Sequence, residues 1–224
     1  MAKSEKRAVH MKGIRSRILR TAENLFLEQG YKTTTIRQIV QDSGITSGSI
    51  YNIYEDKEHL FAALIDEFLD DAAKRVGEAL ADKTPEQRLV AYIAMELFYV
   101  EKNPVIREMM YAAHTSPMIM ESVIENHAYL AREVWDARRH TKIESLHTAI
   151  LLAEGAVSSY VLCFDFSEKL DYSSIRKRVM FSILQTMGLD TRETNRLIQY
   201  MEENKDLWLD LAEQVLHHSD EADK

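Results

Sequence analysis

Thr46, Ser47, Gly48, Ser49, Tyr51 and Asn52 crowd one short stretch with hydroxyls, an amide and a phenol. Such groups donate and accept hydrogen bonds at close range, with little side-chain entropy to lose. They suit phosphate oxygens and the polar edges of bases. Thr35 and Arg37 lie upstream, and Tyr54 and Lys57 follow with a second phenol and an ammonium. Nothing in the chain points to covalent or metal chemistry. No serine or cysteine is placed with a base, and no glycine-rich phosphate loop occurs. Of the eight histidines, His217 and His218 are adjacent and do not easily face one ion, while His140 and His147 share a helix face only if residue 140 is helical. The expectation is no enzyme, no catalytic residue, no cofactor and no metal site.

The elements that must hold these groups are short helices. Ile14, Ile18, Ala22, Leu25 and Phe26 fall at helical spacing, with Arg15, Arg17, Arg20 and Glu23 on other faces. Gly30 then offers a left-handed stop. Thr35-Ile36-Arg37-Gln38 fits a capping box, and Ile36, Ile39 and Val40 give the new helix an apolar side. Gly44 ends it after about two turns, too short to stand without packing. Thr46 or Ser47 caps a third helix that turns Ile45 and Ile50 inward and Thr46, Ser47, Ser49 and Asn52 outward. Asp56 caps a fourth helix beginning at Lys57, where a phosphate would meet free backbone N–H groups and an ammonium. Two short helices joined by a tight glycine turn are the arrangement of a helix-turn-helix reader of duplex DNA. The alternative is a three-helix packing unit that binds nothing.

Charge favours the reader. Residues 1–54 hold nine Lys/Arg against four acids, while the whole chain has 28 and 36, leaving 19 and 32 for residues 55–224. A basic head on an acidic body is the footprint of a modular DNA binder.

Gly30-Tyr31, Thr34-Thr35-Ile36, Ile39-Val40, Ser43-Gly44-Ile45, Gly48, Ile50-Tyr51, Tyr54 and Lys57-Glu58 with Leu60 together resemble the N-terminal signature of the TetR family of one-component transcriptional regulators. The resemblance spans residues 12–62. It implies a homodimer, each subunit reading half of a near-palindromic operator, and a C-terminal domain that binds an unidentified small-molecule effector. By position, the family's phosphate contacts fall on Thr35, Tyr51, Tyr54 and Lys57, and its base-proximal positions on Arg37, Thr46, Ser47, Gly48 and Asn52, with Ser49 beside them. Ile53 departs from the family, which often has a polar ring there, so any contact at that spot is apolar.

The rest of the chain reads as helix. All three prolines stand directly behind a capping residue, in Thr84-Pro85, Asn103-Pro104 and Ser116-Pro117, which marks helix starts. Thr141-Lys142-Ile143-Glu144 and Asp190-Thr191-Arg192-Glu193 add two box-like starts, and Gly188 a stop. The expected helices are 12–29, 35–42, 46–52, 57–81, 85–102, 104–113, 117–139, 142–166, 172–187 and 191–217. The fold expected is therefore all-α, with a three-helix helix-turn-helix DNA-binding domain over residues 1–56 that includes a basic tail, 1–11. A larger helical effector-binding and dimerisation domain follows over 57–218, then a tail, 219–224.

Cys163 is the single cysteine and sits in the apolar run Tyr160-Val161-Leu162-Cys163-Phe164, so an inert buried thiol in a reducing compartment is expected. The longest apolar stretch is broken by His147 and Glu154, which argues against a membrane span and for a cytoplasmic protein. Small residues in 142–166 and the apolar spacing of 172–187 match the two helices with which the resembled family dimerises, and Ala153, Ala156, Tyr160, Ile175, Val179 and Ile183 are the expected contacts. Helix 191–217 either covers the body or extends the dimer. The middle helices are rich in thioethers and rings, so Met95, Phe98, Tyr99, Met109, Met110 and Trp135 are expected around an effector, with Glu96, His114 and His127 as polar hooks. The competing function is an all-helical protein-interaction module without sequence-specific DNA binding. Such a module would show no steeply salt-dependent retention on DNA.

Overall fold

The computed structural model describes residues 2–137 and 145–216 and contains eleven α-helices and no strand among them. The expected start at Thr141–Glu144, His140, His217, His218 and the tail 219–224 lie outside the described residues, as do the side chains of Lys3 and Lys6.

The chain divides into two compact units, residues 1–67 and 68–224. The first unit holds α1 (Ala2–Gln29), α2 (Ile36–Ser43), α3 (Ser47–Tyr51) and the opening turns of α4 (Lys57–Ala79). The division falls beyond the expected boundary at residue 56 because the start of α4 is part of this unit's core: Leu60, Phe61 and Leu64 are buried. Phe61 meets Phe26 edge-on at 5.6 Å and stacks on Tyr31 at 4.3 Å. With α2 on one flank and Phe61 on another, α1 buries a wide sector. That sector takes in Leu19, Ala22 and also Glu23, which the sequence spacing had put on a polar face.

The capping chemistry is as expected. Thr35 and Gln38 form a reciprocal capping box, Thr46 accepts from the Ser49 N–H, and Asp56 accepts from the His59 N–H at 2.9 Å. Gly30 and Gly44 both stand in the left-handed region, at φ 88° and 64°, where a side chain would be strained. A Cβ on Gly44 would also meet Arg17 at 3.2 Å.

The second unit continues with α5 (Pro85–Lys102), α6 (Pro104–His114), α7 (Pro117–Asp136), α8 (Leu146–Leu162), α9 (Tyr172–Thr186), α10 (Thr191–Glu203) and α11 (Lys205–Leu216). Thr84, Asn103 and Ser116 cap α5, α6 and α7, each with proline at the first helical position. Helix α8 begins behind a Ser145 cap and runs into a single 3₁₀ turn, Cys163–Asp165. The expected helix 191–217 is two helices. Asn204 interrupts it, its amide donating to the Tyr200 carbonyl at 2.8 Å, and the indole of Trp208 donates to the Met201 carbonyl across the bend. Helix α11 lies along α5 with Trp208 fully buried, so this segment covers the body of its own unit.

Helix α5 is the axis of the unit, with Val90, Ala91, Ala94, Leu97, Phe98 and Val100 sealed from solvent. At its C-terminal end a polar clamp ties four helices. Arg176 of α9 is 4% exposed and lies 4.1 Å above the Phe98 ring. Its guanidinium donates to Glu202 of α10 at 3.0–3.1 Å and to Glu101 of α5. The hydroxyl of Tyr160, on α8, donates to the same Glu101 carboxylate. Burial, reinforced by the Glu101 charge, pushes the Tyr160 phenol far above its ordinary range, so it stays a donor.

Candidate nucleic-acid interface and buried polar cluster

Helix α3 displays what the sequence promised. Thr46, Ser47, Gly48, Tyr51 and Asn52 are exposed, Ser49 half-buried, and Ile50 fully buried beneath them. A helix this short cannot hold itself, so its outer face is set by the seating of Ile50 and by the Thr46 cap. The Tyr51 ring is 55% exposed, an unusual position for an aromatic with no partner. At Gly48 a Cβ would meet nothing within 4 Å among the described residues. Thr35 and Arg37 are exposed at the start of α2, although the Thr35 hydroxyl already donates to Gln38 Oε1 at 2.8 Å.

Two expected contacts turn inward. The Lys57 ammonium donates to the carbonyls of Tyr31 and Thr34, each at 2.9 Å, and sits 4.2 Å from the Tyr31 ring centroid. It fastens the loop before α2 to the start of α4. Tyr54 is 5% exposed, and its hydroxyl is buried with no hydrogen-bond partner. Burial pushes this phenol up to about 12, against the opposing pull of Arg15. Tyr54→Phe therefore removes an unsatisfied polar group and should raise stability by about 1 kcal/mol in urea denaturation. Retention on DNA should not change, and weakened retention would return Tyr54 to the contact surface. Ile53 is half-buried beside them.

The second unit contains a cluster that sequence reasoning saw in part. His127 of α7 shares a hydrogen bond of 2.6 Å between Nδ1 and Glu154 Oε1 of α8, and one of 3.1 Å between Nε2 and the Tyr92 hydroxyl of α5. His114, the last residue of α6, places Nε2 at 3.7 Å from both Glu96 Oε1 and Glu154 Oε2. Those two oxygens and His114 Nδ1 are sealed from solvent without a hydrogen-bond partner. Burial alone would push the Glu154 carboxyl up, but His127 and then His114 outweigh it and hold it at about 2. For both histidines burial works downward and the carboxylates prevail, so each is raised, while burial dominates at Glu96 and raises it.

Tyr92, Glu96, His127 and Glu154 line a cavity of about 20 Å³, room for one water-sized group. Leu89, Tyr92 and Leu130 also line a neighbouring half-open cleft of about 450 Å³ between α4, α5 and α7. Arg88, paired with Glu133 at 2.9 Å, and the 80%-exposed Tyr129 stand at its edge.

Of the expected effector residues, the structure brings only His114 and His127 into this cluster, together with the hook Glu96. Met95, Phe98, Tyr99 and Met109 are buried elsewhere, and Met110 and Trp135 are half-buried. Glu154 and Tyr92 were missed. The available signal was a lone carboxylate in the middle of an apolar helix.

The expected dimer residues divide too. Ala153, Tyr160, Val179 and Ile183 point into their own unit, while Ala156 and Ile175 are half-buried. Outward on α8, one stripe carries Leu151, Leu152, Gly155, Ser159 and Leu162, continued by Phe166. The segment Leu146–Asp165 is apolar enough, at mean hydropathy 1.4, to be weighed as a membrane span, but half of it is buried in the unit and Glu154 is ion-paired at its centre. Cys163 is buried, its thiol donating to the Tyr160 carbonyl.

Residues 18–64 match the family profile of bacterial regulatory proteins of the tetR family. Over 69 residues the chain is 38% identical to the HTH-type transcriptional repressor KstR2 of Rhodococcus jostii, covering 31% of this chain and 34% of that protein. Over 124 residues it is 26% identical to KstR2 of Mycolicibacterium smegmatis, covering 54% and 60%. The matched stretches thus span from one third to three fifths of those relatives. Among solved structures, RolR in complex with resorcinol superposes with a TM-score of 0.67 at 18% identity, over 85% of this chain and 95% of that one. RolR without ligand superposes at 0.64 and 16%, over 82% and 95%.

Proposed function

This chain belongs to the tetR family of bacterial regulatory proteins, and we propose that it is a homodimeric, effector-controlled repressor acting on duplex DNA in the cytoplasm. One observation carries the reading. The exposed hydroxyls, amide and bare glycine of α3 crown a basic unit, inside the stretch that matches the family profile. Tyr51 and Thr35 reach phosphates, Arg37, Thr46, Ser47 and Asn52 read base edges, and Gly48 lets the backbone come close. Lys57 supports them by fixing the loop before α2.

Two such heads must stand about 34–36 Å apart to enter successive major grooves. The outward apolar stripe of α8 supports pairing of two copies through α8 and α9. The resorcinol complex of RolR, which shares this fold, supports reading the second unit as the effector domain. An effector releases DNA if it prefers a dimer whose heads are wrongly spaced, each tenfold preference contributing about 1.4 kcal/mol.

Selection of bound duplexes from a random pool tests the reading, with the mass of the free protein measured by sedimentation. A bipartite, near-palindromic site bound by a dimer is expected. A monomer, or no duplex retained at low salt, overturns it. Gly48→Ala separates folding from recognition. Because the added methyl meets nothing in the protein, stability should hold or rise by about 0.5–1 kcal/mol. Affinity for the selected duplex should fall at least tenfold, and unchanged affinity would remove α3 from the groove.

A further inference from the structure

The cavity beside Tyr92 is unusual in being both water-sized and rich in unmet hydrogen-bonding capacity. Two of its lining residues, Glu96 and Glu154, each carry a sealed carboxylate oxygen that accepts no hydrogen bond. On the opposite side stands a donor. When His127 is protonated, its Nδ1–H goes to Glu154 and its Nε2–H to the Tyr92 oxygen, which frees the phenolic proton to point elsewhere. The unmet set therefore wants one group that gives a hydrogen bond to a carboxylate and receives one from a phenol.

Charge and chemistry narrow that group. A carboxylate offers no donor and would add a third negative charge beside two buried ones. An ammonium offers no acceptor, and Glu154 already has His127 at 2.6 Å as its counter-ion. A neutral hydroxyl does both and leaves the buried charge balance untouched. The remaining walls, including Leu89, Ile93, Leu130 and Val157, are apolar. The cleft on the far side of Leu89, Tyr92 and Leu130 has ligand-sized volume and an apolar floor at Ala73, Val76 and Pro85.

We propose that the second unit binds a neutral, hydroxyl-bearing hydrocarbon, its hydroxyl held between Glu96, Glu154 and Tyr92 and its apolar body in the cleft between α4, α5 and α7. This deepens the effector reading above and rests on it for regulatory meaning, though not for binding. The cleft includes the stretch Ala73–Gly77 of α4, the helix whose first turns belong to the DNA-reading unit. Occupancy is thereby written into an element the reader shares.

The test uses the full chain and four molecules of matched ring: cyclohexanol, cyclohexylamine, cyclohexanecarboxylate and methylcyclohexane. Calorimetric titration should rank cyclohexanol at least tenfold tighter than the other three. Tyr92→Phe keeps the shape and should remove that margin, leaving methylcyclohexane unaffected. Gly77→Leu places a side chain in the cleft where a Cβ meets nothing within 4 Å among the described residues, so the fold should hold while cyclohexanol binding falls tenfold or more. Equal or tighter binding of the amine or carboxylate overturns the ligand class. A preference that survives Tyr92→Phe overturns the chamber, and binding indifferent to Gly77→Leu overturns the cleft. Duplex retention measured without ligand keeps the two readings apart. A chain that binds duplex but does not prefer cyclohexanol refutes only the ligand class. One that prefers cyclohexanol but holds no duplex refutes only the regulator.

Discussion

Arg176→Ala should lower the unfolding free energy by about 3–5 kcal/mol, read as a fall in the urea midpoint at unchanged slope. The cause is what the substitution leaves behind. Glu101 and Glu202 would face each other with the guanidinium gone, and Tyr160 would still donate to Glu101. Lys177, 3.7 Å from Glu202, compensates only at the surface. Packing is lost as well, because the guanidinium plane lies on Phe98. Arg176→Lys should recover only part of the loss, since an ammonium does not match the two-pronged contact with Glu202. A fall below 1 kcal/mol for the alanine variant would mean that the clamp contributes nothing beyond filling space.

The second large effect is a stability maximum between about pH 4.5 and 6.5, with losses on both sides for different reasons. Glu154 is held at about 2 in the folded chain against 4.5 when free. A depressed carboxyl stabilises the fold above its free value, and that contribution, about 3 kcal/mol, disappears as pH falls from 4.5 through 2. His114 and His127 are raised above 6.5, so their contribution is complete below 6.5 and lost as pH climbs through the folded values. Glu96, raised by burial, adds to the loss on the alkaline side. Denaturation midpoints across pH 3–9 would trace the two limbs. Glu154→Gln should flatten the acid limb, and an acid limb of unchanged depth in that variant would assign it to other carboxylates.

Local chemistry was legible and long-range chemistry was not. Thr35, Thr46, Thr84, Asn103, Ser116 and Asp190 announce helix starts because a cap acts within three residues of itself. Gly30, Gly44 and Gly188 announce stops because their backbone angles exclude other residues. Asn204 gave no comparable warning, since apolar spacing runs through the bend from Met201 to Trp208. The outward face of α3 could be read because period and cap fix it. Lys57 and Tyr54 turn inward for tertiary reasons: the carbonyls of Tyr31 and Thr34 lie within reach of one, and the core closes over the other. In the buried cluster, His127 meets Glu154 across 27 positions and Tyr92 across 35. Residue type alone named three of its members, and only the folded chain joined them to the other two.

The seating of α11 on α5 has a consequence for biosynthesis. Helix α5 emerges from the ribosome about a hundred residues before α11, on the order of ten seconds at ordinary translation speeds. Throughout that interval the surface later covered by Trp208, Leu211 and Val215 faces water as a greasy strip. The DNA-reading head, built from neighbours in the chain, closes early. The trunk must wait for its final helix, which makes nascent chains of this protein clients for chaperones that shield apolar helices.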